Sequence, residues 1–108
     1  MARYLIQASY TAEARAAFVA NPQDRQASVL AVAEKLDIRV ESFDFSLGDY
    51  DVVIIAEAPD DVTAVAVALA ASAPGHLSAY KTTKLLSNDE MMAAMRKASG
   101  VSFSAPTR

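Results

Sequence analysis

A single glutamate, Glu57, stands in a strand-forming run whose other residues are apolar, V-V-I-I-A-E-A. A carboxyl group between apolar neighbours on a covered sheet face has a raised pKa and can act as a general acid or base. Glu57 is therefore the best candidate for a catalytic residue, with Gln7 and Tyr80 as polar neighbours that complete a small ligand pocket. The competing interpretation is an ion pair of Glu57 with Lys84, Lys81 or an arginine of a second subunit.

The segment G-D-Y-D, residues 48–51, immediately precedes this strand. Tyr50 and Asp51 at the strand entrance could orient a ligand at the mouth of the pocket. Turn chemistry offers another explanation, in which Gly48 supplies backbone freedom to a hairpin and the aspartates bond nearby amides. In that interpretation Tyr50 only packs over the turn.

The one histidine, His76, follows Pro74-Gly75 and is predicted to be an exposed loop residue. One histidine without a cysteine cannot build a metal site alone, and the carboxylates show no ligand spacing around it. The sequence contains no cysteine, glycine-rich phosphate loop, nucleophile elbow or zinc motif. We therefore predict neither a metal nor a cofactor.

Composition narrows the class of protein further. A length of 108 residues suits one domain, and 53% hydrophobic with 21% charged residues is typical of a globular chain. The net charge of −3 and the scattered basic residues argue against a nucleic-acid binder. The longest apolar run, residues 62–73, is shorter than the ~20 residues that a membrane span needs, and the start lacks the apolar core of a signal peptide. We expect a cytoplasmic protein that binds neither nucleic acid nor membrane.

Hydrophobic periodicity predicts the elements that position these side chains. We predict strands at residues 4–8, 38–46, 52–58 and 77–86, and helices at 12–19, 21–36, 60–73 and 88–100. The order β-α-β-β-α-β with a C-terminal helix indicates a ferredoxin-like α+β fold, a four-stranded antiparallel sheet with helices on one face. Residues 1–100 form the predicted domain, and residues 101–108 a loose tail.

Capping residues mark the predicted helix starts. Thr11 suits the first helix, Asn21 with Pro22 the second, and S-N-D-E from Ser87 to Glu90 is a capping box for the last. Apolar spacing then predicts the buried helix faces. They are Ala27, Leu30, Ala33 and Leu36 in the second helix, Val62, Val65, Leu69 and Ala73 in the third, and Met91, Met92 and Met95 in the last.

Alternation along the strands sorts the two faces of the sheet. Tyr4, Ile6, Ala8, Val52, Ile54 and Ala56 are predicted beneath the helices. The open face, which is the face away from the helices, is predicted to carry Leu5, Gln7, Val53, Ile55 and Glu57, joined by Phe43 or Phe45 and by Tyr80, Thr82 and Lys84. A bulge in an edge strand would exchange the set named there. Covering each large apolar side chain is worth roughly 1.5–3 kcal/mol, so we expect a homodimer or higher homo-oligomer that pairs through this face.

The segment from Leu47 to Asp61, L-G-D-Y-D-V-V-I-I-A-E-A-P-D-D, resembles the GYD domain family. The closing strand Y-K-T-T-K-L-L, which runs into the capping box, resembles the same family. The glycine, tyrosine and aspartate of its signature correspond to Gly48, Tyr50 and Asp51. The resemblance implies a bacterial protein with a dimeric α/β-barrel type of fold, and it implies no particular reaction. Relatives tend to have glycine after the long helix, where this chain has Asp37.

Three functions fit these observations. The first is a small-molecule-binding protein whose cavity lies on the open face of a homo-oligomer. The second is a cofactor-independent isomerase or monooxygenase of the dimeric α/β-barrel type, an expectation that rests on fold analogy. The third is a structural or interaction protein without a ligand. The sequence does not decide whether the protein is an enzyme.

Overall fold

The computed structural model describes residues 1–107. In chain order the elements are β1 (Ala2–Tyr10), α1 (Ala12–Ala20), α2 (Arg25–Lys35), β2 (Arg39–Phe45), β3 (Val52–Ala58), α3 (Asp61–Ser72), β4 (Leu77–Leu85) and α4 (Asn88–Ser99). Residues 101–107 are exposed and form neither helix nor strand, and Arg108, the last residue of the predicted tail, lies outside the described residues.

The strands form one antiparallel sheet in the order β2-β3-β1-β4, so that β1 and β3 are central. α2 packs against β2, α3 against β3 and β4, and α1 against β1. Along the two central strands, side chains buried under these helices alternate with half-exposed ones on the open face. The predicted ferredoxin-like α+β fold is confirmed.

Local capping signals place most of the helix ends. The Thr11 hydroxyl accepts a hydrogen bond from the N–H of Ala14 at 3.1 Å, as expected for the start of α1. At α4 both bonds of the predicted capping box are present, because the Ser87 hydroxyl accepts from the N–H of Glu90 and the Glu90 carboxylate accepts from the N–H of Ser87, each at 3.1 Å.

The start of α2 differs from the prediction. Asn21 ends α1 instead of beginning α2, because its N–H donates to the carbonyl of Ala17 at 2.8 Å. Asp24 is the N-cap, and its carboxylate accepts from the N–H of Ala27 at 2.9 Å. The buried face also differs, since Leu30 is 42% exposed and the residues that pack inward are Val29 and Ala33, one turn apart.

The register of the central strands confirms their predicted faces. Leu5 stands opposite Ile55 and Gln7 opposite Val53 on the open face. The residues buried beneath the helices are Tyr4, Ile6, Ala8, Val52, Ile54 and Ala56. Both central strands therefore carry the side chains that alternation predicts for each face.

The predicted faces of the two edge strands are wrong. A bulge in β2 between Val40 and Ser42 turns both phenylalanines to the helix side, with Phe43 opposite Ile54. On β4, Tyr80 stands opposite Ala8, Thr82 opposite Ile6 and Lys84 opposite Tyr4, all on the helix side as well. The open face instead receives Ser42 and Asp44 from β2 and Lys81, Thr83 and Leu85 from β4.

Helix α3 is rotated relative to the prediction. Its expected buried stripe points outward, with Val62 78% exposed and Leu69 67% exposed. The Tyr4 hydroxyl donates to the carboxylate of Asp61, the first residue of α3, and so turns that residue towards the sheet. Ala64, one turn later on the same side, is buried. The sheet-facing side of α3 thus consists mainly of alanines, with Val67 as a larger residue.

Candidate functional site

A cavity of about 250 Å³ lies between the helices and the sheet. Its floor is formed by the sheet and its walls by α2, α3 and the loop that precedes β4. Small side chains leave this space open, because six of the eleven buried apolar residues in the described chain are alanine. Ala8, Ala33 and Ala56 line the cavity directly.

The cavity walls combine a large apolar area with a few polar groups. The apolar side chains on the walls include Val29, Val32, Ile38, Val40, Ile54 and Val67. The polar ones are Tyr10, Arg25, Ser28, His76 and Tyr80. Such a surface suits a molecule with an apolar body and one polar end.

Tyr10 lies at the end of β1 and organises one wall. Its ring packs edge-to-face on Phe18 with centroids 4.8 Å apart, and it stacks on His76 with centroids 6.3 Å apart. The carbonyl of His76 accepts a hydrogen bond from the N–H of Thr11 at 3.0 Å, which holds the loop beside β1. His76 is therefore half-buried, and the predicted exposure of this side chain is wrong.

Arg25 brings the only formal charge to the described cavity wall. It is the first residue of α2, and its guanidinium carbon lies 5.5 Å from the centroid of the Phe18 ring. Nη1 donates to Oε1 of Gln23 at 3.1 Å. Burial raises the pKa of Tyr10, and this rise is opposed by the positive charge of Arg25 and by a polar contact between the Arg25 guanidinium and the Tyr10 hydroxyl.

Tyr80 contributes a partly buried hydroxyl from β4. Burial raises the pKa of Tyr80 to about 12, so the hydroxyl keeps its proton at neutral pH and can donate a hydrogen bond. Tyr80 is the one predicted ligand-binding residue that lines the cavity. It does so on the helix side of the sheet and not on the open face.

Asp51 fastens the β2–β3 turn to the end of β1. Its carboxylate accepts from the N–H of Tyr10 and from Nη2 of Arg15, each at 2.9 Å. These bonds, first the backbone bond and then the arginine, hold the pKa of Asp51 below its usual value. The Asp51 N–H also donates to the carbonyl of Ala8 at 2.9 Å. Asp51 thus supports Tyr10 from outside the cavity.

The other residues of the G-D-Y-D segment have a structural explanation. Gly48 is not in the left-handed conformation, so backbone freedom is not the reason for a glycine there. Its N–H donates to the Ser46 hydroxyl at 3.0 Å, and a side chain at Gly48 would begin 3.3 Å from that oxygen. Tyr50 is half-buried in the turn and does not line the cavity.

Gln7 and Glu57 both lie on the open face but far apart. They are separated by four register positions, or about 13 Å at ~3.3 Å per residue. Glu57 stands opposite Arg3 on one side and Arg39 on the other. Its neighbours across the strands are thus arginines of the same chain. A catalytic role for Glu57 stays a prediction.

No sequence pattern considered above predicted Arg25, Tyr10 or Ser28 as functional residues. A detectable signal was the spacing of Arg25, Val29 and Ala33, which are four residues apart and share one helix face. With Val29 and Ala33 taken as the buried face, Arg25 stands at its amino-terminal end and faces the sheet. Tyr10 gave no comparable signal, because its burial depends on the packing of α1 and the loop that precedes β4.

Two further findings concern metal binding and membrane crossing. Within residues 1–107, no three His, Cys, Asp or Glu side chains are grouped so as to bind a metal ion. In the same part of the chain, no helix combines the length and the apolar character needed to cross a membrane.

The fold and the cavity together define a ferredoxin-like α+β protein with a largely apolar cavity between its helices and its sheet. Residues 4–95 match the model of the GYD domain. The chain therefore belongs to the GYD domain family, and the resemblance noted from the sequence is confirmed. Neither the curated proteins nor the solved structures contain a match to it.

Proposed function

We propose that this protein binds a small, mostly apolar molecule in the cavity between α2, α3 and the sheet. The observation that carries this proposal is a space of about 250 Å³ with largely apolar walls. Walls that face an empty space lose van der Waals contacts, and a ligand that fills the space restores them.

The proposed site lies on the opposite side of the sheet from the pocket expected from the sequence. Two observations support the helix side. Tyr80 belongs to the cavity wall, whereas Gln7 and Glu57 on the open face are about 13 Å apart by strand geometry. The helix-side walls also bring several apolar side chains and a charged group around one volume, which is the usual composition of a ligand site.

The proposal includes self-association through the open face. Leu5, Val53 and Ile55 form an apolar patch on this face, and each is only partly buried in the single chain. A homodimer with two-fold symmetry would cover the patch of both subunits and requires no other protein. The apolar patch thus supports a homodimer or a higher homo-oligomer.

A cofactor-independent isomerase or monooxygenase is the second candidate function. The observation that favours an isomerase is that His76 and Tyr80 both line the cavity, because an imidazole and a phenol are groups that transfer protons. Turnover that disappears in a His76→Gln variant with unchanged ligand affinity would favour the enzyme over a binding protein. A purely structural protein would bind no ligand at all.

The test of the binding proposal fills the cavity with protein atoms. Ala71 lines the cavity on α3 and is half-buried, so leucine at this position occupies ligand space. We expect compounds that raise the melting temperature of the wild type to have no effect on Ala71→Leu, and we expect the ligand-free variant to melt higher than the wild type because it fills the space. Thermal-shift and calorimetric titrations with small apolar compounds measure both effects.

Ala31→Leu is the matched control, since Ala31 is exposed on α2 and does not line the cavity. This variant should respond to ligands as the wild type does. If no small apolar compound stabilises the wild type, the binding proposal fails and a structural role is favoured. If Ala71→Leu binds as tightly as the wild type, the ligand site lies elsewhere.

A further inference from the structure

We infer that the ligand is a monocarboxylic acid with a compact apolar body, and that Arg25 binds its carboxylate. This inference rests on the proposed binding function and specifies its ligand class. Nε of Arg25 is buried and has no well-formed hydrogen bond to a described residue, and the nearby Tyr10 hydroxyl, which makes a polar contact with the guanidinium, is neutral. Buried donors in native structures nearly always have partners, so the described residues do not satisfy the full hydrogen-bonding capacity of this guanidinium, which belongs to a residue that lines the cavity.

The surroundings of Arg25 leave its charge uncompensated within the described part of the chain. Nη1 donates to the neutral amide oxygen of Gln23, and one face of the guanidinium lies near the Phe18 ring. The arginines that form ion pairs in the described residues are Arg3, with Glu41, and Arg15, with Asp51. An anion in the cavity would therefore meet an arginine that no carboxylate of the described chain neutralises.

The geometry of guanidinium selects the type of anion. Its five N–H donors form a planar fork that matches the two oxygens of a carboxylate. The described lining residues include a single arginine and no lysine, so one positive charge balances one negative charge. A dianionic phosphate would keep an uncompensated charge beside apolar walls, which is unfavourable. Tyr80 also lines the cavity, from the sheet, and its protonated hydroxyl is a further hydrogen-bond donor.

The apolar walls define the rest of the ligand. Val29, Val32 and Val67 approach from the helices, while Ile54 and Val40 belong to the sheet. A volume of about 250 Å³ accommodates a medium-length aliphatic chain or a single aromatic ring but not a long fatty acid. Octanoate, with one carboxylate and a short alkyl chain, is a suitable probe.

The experiment compares probes that differ only in the polar end. Octanoate, 1-octanol and octylamine are titrated calorimetrically into the wild type and into Arg25→Gln, Arg25→Lys and Lys35→Gln. We expect the wild type to bind octanoate at least about tenfold more tightly than octanol, since a charge-assisted pair is stronger than a neutral hydrogen bond. Octylamine should bind most weakly, because its charge repels Arg25.

The variants distinguish a direct contact from a general effect. Arg25→Gln should lose this preference, with octanoate weakened about tenfold and octanol changed less than about threefold. Arg25→Lys keeps the positive charge but lacks the planar pair of N–H donors, so its preference for octanoate over octanol should be intermediate. Lys35→Gln also removes one positive charge, but at the other end of α2 and outside the cavity, so this variant should behave as the wild type. Far-ultraviolet circular dichroism verifies that each variant is folded.

The results distinguish a failure of the carboxylate inference from a failure of the binding proposal. If octanoate and octanol bind the wild type equally, or if Arg25→Gln keeps the preference, the carboxylate inference is wrong while the binding proposal stands. If neither these probes nor any other small apolar compound binds, the binding proposal itself fails. If Lys35→Gln loses the preference as strongly as Arg25→Gln, general electrostatics replaces a contact with Arg25 as the explanation.

Discussion

Asp37 shows how a single residue can be held in a conformation that its type disfavours. It has a φ of 55° directly after α2, in the left-handed region that glycine adopts most easily. Its N–H donates to the carbonyl of Glu34 at 3.3 Å, and the N–H of Ile38 donates to that of Ala33 at 2.9 Å. These two bonds form a Schellman motif, which is the usual reason for a left-handed residue at a helix end. The helix end thus imposes the strain.

Asp37→Gly should therefore stabilise the protein. We expect the free energy of unfolding to rise by about 0.5–1 kcal/mol, because glycine adopts positive φ without a steric cost. Asp37→Ala is the matched control and should lower the stability, since alanine has no polar side chain to offset the strain. Urea denaturation followed by circular dichroism measures both changes. A less stable glycine variant would mean that the Asp37 side chain makes a stabilising contact that outweighs its backbone strain.

At the scale of elements, the β2–β3 turn is fastened to the junction of β1 and α1 through Asp51. The carboxylate bonds the N–H of Tyr10 and the Arg15 guanidinium, and the backbone of Asp51 bonds Ala8. One residue thereby joins a turn, a central strand and a helix. Because Tyr10 lines the cavity, this connection also positions a cavity wall.

Asp51→Asn should lower the free energy of unfolding at pH 7 by about 1 kcal/mol, since a bond to a charged acceptor is replaced by a weaker neutral one. The folded-state pKa of Asp51 is lowered. Its ionised form therefore contributes stability above the unfolded pKa of about 4, and this contribution is lost as the pH falls through the lower folded value. The difference between wild type and variant should shrink below about pH 4.

Denaturation curves at several pH values test this dependence, and Asp49→Asn serves as the control. Asp49 is an exposed aspartate in the same turn, so its variant should differ little from the wild type at any pH. A constant difference between the wild type and Asp51→Asn across the acid range would contradict an electrostatic contribution from the carboxylate.

The elements also show which features the sequence could predict. The capping box at Ser87 depends on residues within one turn, and it was predictable because the bonds are local. The rotation of α3 depends on the bond between Tyr4 and Asp61, which are 57 positions apart, so helix periodicity alone favoured the wrong face. The bulge in β2 places both Phe43 and Phe45 on the helix side instead of the predicted open face. Alternation along one strand does not show where such a bulge lies. The cavity was not predictable because it depends on where buried alanines meet.

At the scale of the whole molecule, the single chain is more extended than a compact domain. Its radius of gyration is 17.9 Å, whereas about 13 Å is usual for this length, and its longest dimension is 59 Å. α4 contributes to this shape, since none of its residues is buried and Met91, Met92 and Met95 are each at least 43% exposed. A helix of 12 residues with little packing against the rest of a chain is marginally stable in water. Both α4 and the open face thus lack a covering surface in the single chain.

Ile55→Lys should therefore separate the copies of this protein. Ile55 stands beside Leu5 in the middle of the open face, and a charge there would have to be buried on pairing. We expect the wild type to have at least twice the chain mass of 11.5 kDa by native mass spectrometry and light scattering, and Ile55→Lys to have the mass of one chain. Val19→Lys adds the same charge on the exposed side of α1, where Val19 is 84% exposed, and should keep the wild-type mass. A wild type of 11.5 kDa at high concentration would contradict pairing, and an Ile55→Lys variant of unchanged mass would move the interface away from the open face.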